Sequence, residues 1–316
     1  MKKLFLILVI PAFLMFTMGC GDDSTGPDDP VNEAKVLVDY LEGGSANYEG
    51  WVNTMSGWIV TPPNGAYGDS TLTYADYAIF DLRSSTDFAN KHIPGAVNVT
   101  MTTMFTEAEN VTKPILVVCY SGQTAAYAHM LLRMKGFEAH SLIYGMSGYA
   151  KSLDKWTNSI GSGMVGNAAW VTTASAALPE FELPVLSTGK ETGAEILDAR
   201  IEVAINEWAT RLVAGSTVAA ALSDYNIMNY WAEADYLHYG HFDGAYQLTP
   251  NTLTQAQNLT AFDPDGVNIL YCWTGQTAAA TIAYLTVMGY DVKSVKYGVN
   301  SMIYDALAGH KWPMPY

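Results

Sequence analysis

The chain is poor in positive charge. Its 16 lysines and arginines face 31 aspartates and glutamates, for a formal charge of −15, and the few basic residues form no stripe. Nucleic acid is held chiefly by Lys and Arg on phosphates, so it is not expected as a partner. A small anion stays open, because exposed charges fade over about 8 Å at physiological salt and local N–H donors dominate inside a pocket. Cysteine is scarcer still, three in 316 residues with no Cys-x-x-Cys pair. That excludes a disulfide-dense scaffold and removes the usual dithiol redox motif. The apolar fraction of 49% is that of a globular chain long enough for two domains.

The apolar run over 4–18 is shorter than the about 20 residues that span a bilayer comfortably. With Lys2 and Lys3 before it, the run reads as an export signal over 1–19. Cys20 follows Gly19 and precedes a polar, acidic stretch over 21–30. This resembles a bacterial lipoprotein signal, with Thr17 standing where that signal usually has leucine. The resemblance implies lipidation at Cys20, a flexible tether over 20–30, and an exported protein of the cell envelope that touches membrane only through its lipid. Losing Lys2 and Lys3 takes the 16 basic residues to 14 against 31 acidic ones, a charge of −17.

The other two cysteines open a phrase written twice: Cys119-Tyr120-Ser121-Gly122-Gln123-Thr124-Ala125 and Cys272-Trp273-Thr274-Gly275-Gln276-Thr277-Ala278. Each copy follows an apolar, β-branched run and precedes an Ala-rich helical stretch. A cysteine is therefore expected where a strand ends and a helix begins. The glycine lets the loop curl, so that backbone N–H groups point inward beside the sulfur. Bringing a thiol from its ordinary pKa of about 8.5 to near 7 takes roughly 2 kcal/mol. A helix N-terminus supplies about 0.3 to 2 kcal/mol and N–H bonds add more, so a lowered thiol pKa is expected. No histidine lies in either loop, so a Cys-His hydrolase has no local support. Two thiols ending central strands of separate domains are not expected to form a disulfide.

The match continues at the same offset: Gly136 with Gly289, Ser141 with Ser294, and Tyr144-Gly145 with Tyr297-Gly298. Lys155-Trp156 and Lys311-Trp312 follow after a slip of three. Upstream, Ile79-Phe80-Asp81-Leu82-Arg83 answers Ile196-Leu197-Asp198-Ala199-Arg200, and 91–96 answers 240–245. This pairing leaves a surplus in the second copy, expected as an insertion near 210–235, either a lid or a brace. Within each copy short apolar strands alternate with helical stretches, which predicts an α/β fold, a mainly parallel sheet with helices on both faces. Ligands of such sheets bind beyond the carboxyl ends of the strands, where both cysteines fall. Gly161-Ser162-Gly163-Met164-Val165-Gly166 matches a dinucleotide-binding spacing, but no apolar strand precedes it.

Taken together, the Asp-x-Arg pairs, the His92-Ile93-Pro94-Gly95-Ala96 segment and the doubled Cys-x-x-Gly-x-Thr-Ala loop resemble the rhodanese family in tandem. The resemblance implies two rhodanese-like domains over 31–157 and 183–316, joined by a linker over 158–182. It implies a sulfurtransferase in which Cys119 and Cys272 carry sulfane sulfur as persulfides. The donor is a small sulfur-containing anion such as thiosulfate, a polysulfide or a persulfide, and the acceptor is cyanide or a thiol. Tyr120, Ser121, Gly122, Gln123, Thr124 and Ala125, with Trp273, Thr274, Gly275, Gln276, Thr277 and Ala278, form the substrate-binding loops. Asp81, Arg83, Asp198 and Arg200 act as structural support. No cofactor or metal is implied, and although His238, His241, Asp235 and Asp243 stand close in sequence, the family marker already explains His241.

Ala125 and Ala278 stand where related phosphatases place a phosphate-binding arginine, which argues against phosphatase action. The lack of basic residues in both loops also weakens thiosulfate as the physiological donor. The alternative function is a non-catalytic binding module of the cell envelope.

Overall fold

The computed structural model describes residues 31–43 and 58–316. The expected export signal, lipidation site Cys20 and tether lie outside them. The first repeat runs α1 (Glu33–Glu42), β1 (Ile59–Val60), β2 (Ala78–Asp81), α2 (Ser85–Asn90), β3 (Val97–Asn98), α3 (Met104–Ala108), β4 (Ile115–Val118), α4 (Gln123–Met134), β5 (Ala139–Leu142) and α5 (Gly145–Tyr149). After it come β6 (Trp170–Val171), α6 (Gly193–Glu207), β7 (Leu212–Val213), α7 (Gly215–Ala219), β8 (Asn226–Asn229) and α8 (Glu233–Tyr239). The chain closes with β9 (His241–Phe242), β10 (Tyr246–Gln247), β11 (Asn268–Tyr271), α9 (Gln276–Val287) and β12 (Val292–Val295).

Each repeat builds a five-stranded sheet, ordered β1-β5-β4-β2-β3 in the first and β7-β12-β11-β8-β10 in the second. Every pairing within the two sheets is parallel. In the first, Phe80 lies opposite Val117 on one side and Val97 on the other. In the second, Ile269 lies between Ile227 and Lys293. The central strands β4 and β11 are buried at every residue, as befits continuous apolar runs covered on both faces. Both expected α/β halves are therefore present.

This topology corrects the upstream pairing of the repeats. Ile196-Leu197-Asp198-Ala199-Arg200 is not a strand end but lies inside α6. Its apolar residues Ile196, Leu197, Ile201 and Ala204 are buried at helical spacing, and Thr192 caps it by accepting from the Glu195 N–H. Its counterpart is α1, where Ala34, Leu37, Val38 and Leu41 form the matching buried stripe, and the two helices pack together. The stretch near 210–235 is consequently no insertion. It supplies edge strand β7, the equivalent of β1, and inner strand β8, the equivalent of β2.

The segment over 158–182 adheres to the second repeat. β6 pairs antiparallel with β9, the Gly161 N–H donates to Asn300 O at 2.9 Å, and the Phe181 N–H donates to Thr260 O at 2.8 Å. Helices α4 and α9 face each other and make the most extensive contact between any two described elements. Their alanines, Ala125, Ala126 and Ala128 against Ala278, Ala279, Ala280 and Ala283, are wholly buried. A helix buried on every side sits between its own sheet and a second layer, and here each repeat is that layer for the other. Tyr127 Oη reaches across from α4 to donate to Ala204 O on α6 at 2.9 Å.

His129, also on α4, is completely buried and stacks on Trp58 with ring centroids 4.8 Å apart. Burial, reinforced by the Arg133 charge, lowers its pKa to about 3. The imidazole is neutral in the fold, whereas in the unfolded chain it takes a proton below about 6.5. The unfolded state therefore gains protons as the pH falls from about 6.5 toward 3, and the native state loses stability over that window. His129→Phe keeps the ring and removes the titration. In urea unfolding between about pH 7 and 4, the variant should retain a few kcal/mol that the wild type loses.

Candidate functional site at two strand-to-helix turns

Cys119 directly follows β4 and Cys272 directly follows β11, both buried, at 4% and 2% exposure. Gly122 and Gly275 turn the chain into α4 and α9 with φ of 87° and 73°, a left-handed geometry that glycine adopts without penalty. The turn aims backbone donors at each sulfur. Cys119 Sγ accepts from Gly122 N at 3.2 Å and Ala125 N at 3.3 Å, and Cys272 Sγ accepts from Ala278 N at 3.3 Å. The cradle expected at the doubled phrase is thus assembled twice.

The expected lowering of the thiol pKa is overturned. Burial pushes Cys119 up, against the N–H groups of Ala125, Gly122 and Ser121 and the Thr124 hydroxyl. Burial likewise pushes Cys272 up, against the N–H groups of Ala278, Thr274, Gly275 and Thr277. Enclosure of the sulfur outweighs the dipoles, because removing water penalises the charged form most.

A second turn braces each loop from below. Tyr144-Gly145 and Tyr297-Gly298 are all left-handed, with φ between 54° and 59°. Met146 N donates to Cys119 O at 2.7 Å and Ser147 N to Tyr120 O at 3.0 Å, while Val299 N and Asn300 N serve Cys272 O and Trp273 O. A Cβ on Gly145 would sit 2.3 Å from Cys119 O, and one on Gly298 equally close to Cys272 O. The repeated Tyr-Gly dipeptides are thus part of the cradle's support. Trp156 adds to it in the first repeat, its Nε1 donating to Ser121 O at 3.1 Å.

Not every residue of the phrase faces its sulfur. The side chains of Gln123 and Gln276 leave their own loops and bond to the opposite repeat, which removes these side chains from the substrate-binding set. Behind the first loop Asp81 and Arg83 form a fully buried bidentate pair, with Arg83 Nε to Asp81 Oδ1 at 3.0 Å and Nη2 to Oδ2 at 2.6 Å. The guanidinium also donates to Lys91 O and lies 5.3 Å from the centroid of the Tyr120 ring, with Lys155 Nζ 5.0 Å from it.

Asp198 and Arg200 do not repeat this arrangement. Asp198 pairs with Lys135 of the first repeat, and Arg200 donates to Val287 O and Thr286 O at the end of α9. The equivalents of Asp81 and Arg83 are instead Asn229 and Trp231. Asn98 Nδ2 donates to Arg83 O and Gln247 Nε2 donates to Trp231 O in corresponding places. Trp231 stacks on Trp273 at 4.1 Å, with His310 stacked on Trp273 at 4.8 Å. The first loop is flanked by the Asp81–Arg83 ion pair and Lys155, the second by aromatic rings. The signal that could have found this is spacing: Trp231 precedes His241 by nearly the distance that separates Arg83 from His92.

Residues 70–152 match the family model of the rhodanese-like domain, a stretch holding Asp81, Arg83 and the Cys119 loop. Among solved structures, the chain is similar to a rhodanese-related protein from Thermoplasma volcanium at 16% identity, covering 30% of this chain and 92% of that one, with a TM-score of 0.28. It is similar to a thiosulfate sulfurtransferase from Pseudomonas aeruginosa at 17% identity, covering 76% of this chain and 41% of that one, with a TM-score of 0.25. It is also similar to a 3-mercaptopyruvate sulfotransferase from Escherichia coli at 18% identity, covering 76% and 98%, with a TM-score of 0.28. The matched stretch lies within the first repeat, and the second repeat reproduces the strand order of the first.

The two Asp-x-Arg segments should separate in stability measurements. Asp81→Ala leaves the buried Arg83 charge uncompensated and should cost about 3–5 kcal/mol. Asp198→Ala removes only a solvent-exposed pair and should cost less than about 1 kcal/mol. Equal losses in denaturant titrations would contradict the placement of Asp198 on α6.

Proposed function

We propose that the protein is a sulfurtransferase that carries sulfane sulfur on Cys119 and Cys272. The observation that carries this reading is the pair of sulfurs at helix N-termini, each enclosed by inward backbone N–H groups. Such a cradle stabilises negative charge on sulfur without a neighbouring base. In the first half-reaction the cysteine thiolate attacks the outer sulfur of the donor. A Cys–S bond forms while the donor's own bond to that sulfur breaks, its electron pair leaving with the donor fragment, sulfite in the case of thiosulfate. An incoming thiolate or cyanide then takes the outer sulfur and returns the cysteine thiolate. Each step is a two-electron displacement, and no cofactor is required.

The export signal and Cys20 support the further reading that transfer takes place in the cell envelope, on a lipid-anchored protein.

One observation favours a second reading, a non-catalytic binding module: both thiols are buried and shifted upward, and buried structural cysteines are ordinarily inert. Mass spectrometry after exposure to thiosulfate and to polysulfide decides between them. Transfer predicts a gain of one sulfur at Cys119 and Cys272, lost site by site in Cys119→Ser and Cys272→Ser. Because burial raises both thiols above the ordinary value of about 8.5, the thiolate fraction and the rate of sulfur uptake should still be climbing between about pH 7 and 9. Failure of every donor to load either cysteine would leave the binding module.

A further inference from the structure

Glutamine is usually a surface residue, yet Gln123 and Gln276 are buried, at 2% and 0% exposure. They occupy the same place in the doubled phrase, and each reaches into the other repeat. Gln123 Oε1 accepts from Tyr297 N at 2.9 Å, and its Nε2 donates to Val295 O at 3.3 Å and Gly275 O at 3.4 Å. Gln276 Oε1 accepts from Tyr144 N at 3.1 Å. The contact is so close that a Cβ on Gly122 would lie 2.3 Å from Gln276 Nε2, and one on Gly275 2.4 Å from Gln123 Nε2. The glycines of the two sulfur loops are therefore required by the glutamines of the opposite loops as well as by their own φ.

We propose that Gln123 and Gln276 are crossed positioning residues, each setting the sulfur loop of the repeat to which it does not belong. The path is short. Gln123 holds the Tyr297-Gly298 turn, and the residues after that turn hold Cys272 O and Trp273 O. Gln123 also holds the carbonyl of Gly275, whose N–H faces the Cys272 sulfur. Gln276 holds Tyr144, and the turn beginning there fixes Cys119 O and Tyr120 O. The turn beneath each cradle is anchored by a glutamine of the other repeat, so opening one loop loosens the brace of the other.

The exchange is unequal. Among the described residues Gln123 makes three bonds to the second repeat, whereas Gln276 makes one and its buried Nε2 has no partner. The Cys272 loop is held harder than the Cys119 loop, which makes Cys119 the thiol that is uncovered first. The importance of this for transfer rests on the sulfur-carrier reading, but the test below involves no sulfur transfer and can fail independently of it.

The experiment follows peptide-level alkylation by iodoacetamide, together with amide hydrogen exchange, in the full chain and its Gln123→Ala and Gln276→Ala variants. In the wild type Cys119 should alkylate faster than Cys272. Losing the bonds of Gln123 should speed alkylation of Cys272 and exchange over 295–299 by about fivefold or more, while Cys119 changes by less than about twofold. Gln276→Ala should act on Cys119 and on exchange over 142–147, more weakly. Equal acceleration at both cysteines, or acceleration only at the mutated repeat's own cysteine, overturns the proposal. Should neither thiol react, exchange alone decides by the same crossed pattern.

If Gln123→Ala does not fold, Gln123→Glu serves. A protonated carboxyl can donate as the amide does, whereas the carboxylate repels the carbonyls of Gly275 and Val295. Exchange over 295–299 relative to wild type should then be near one at acid pH and rise on ionisation, and a ratio that does not change with pH sinks the proposal.

Discussion

The structure depends on the burial of two alanine-rich helices against each other. Helices α4 and α9 each cover one face of their own sheet, and each presents to the other a surface of small side chains. Alanine brings the backbones close, and close approach lets a glutamine on the first turn of one helix reach the loop beneath the other. Separated, each helix would expose an apolar flank to water and leave its glutamine without the partners it has here. The duplication is for this reason more than two copies of a domain on one string. The reciprocal contact is of the kind made at a twofold interface, here within a single chain.

That contact sets the chemistry of the sulfurs. Both lie at the floor of their loops, where the N–H groups favour a thiolate and enclosure opposes it. Enclosure prevails because the layer that completes the fold also shuts out water. The two sites are then distinguished by what flanks them. The Asp81–Arg83 pair and Lys155 lie beside Tyr120 in the first loop, while Trp231 and His310 stack on Trp273 in the second. One duplicated scaffold holds two thiols in unlike surroundings.

Much of this was legible without coordinates. The doubled phrase, the β-branched runs before it and the alanines after it placed both cysteines at strand-to-helix turns. The Tyr-Gly dipeptides stood out as matching positions of the two repeats, and the structure shows them to be left-handed. The pairing of Ile196–Arg200 with Ile79–Arg83 failed because a short Ile-Leu-Asp-x-Arg string satisfies a strand end as well as one turn of a helix. Only the longer apolar spacing through Ile201 and Ala204 separates the two. Once that match was accepted, strands β7 and β8 had to be read as an insertion. Asn229 and Trp231 went unrecognised because the carboxylate and guanidinium that mark the position in the first repeat are absent from the second.

By itself the sequence determined the local pieces: strands, turns, helix starts and the donors that a glycine-turned loop aims at a sulfur. These follow from spacing and from backbone preferences that act within a few residues. The tertiary structure alone decided where Gln123 and Gln276 point, how deeply the thiols are enclosed, and which residues stand behind each loop. The glutamine contacts reach partners about 130 to 175 residues away along the chain, and a spacing rule holds no information about a contact that only packing creates.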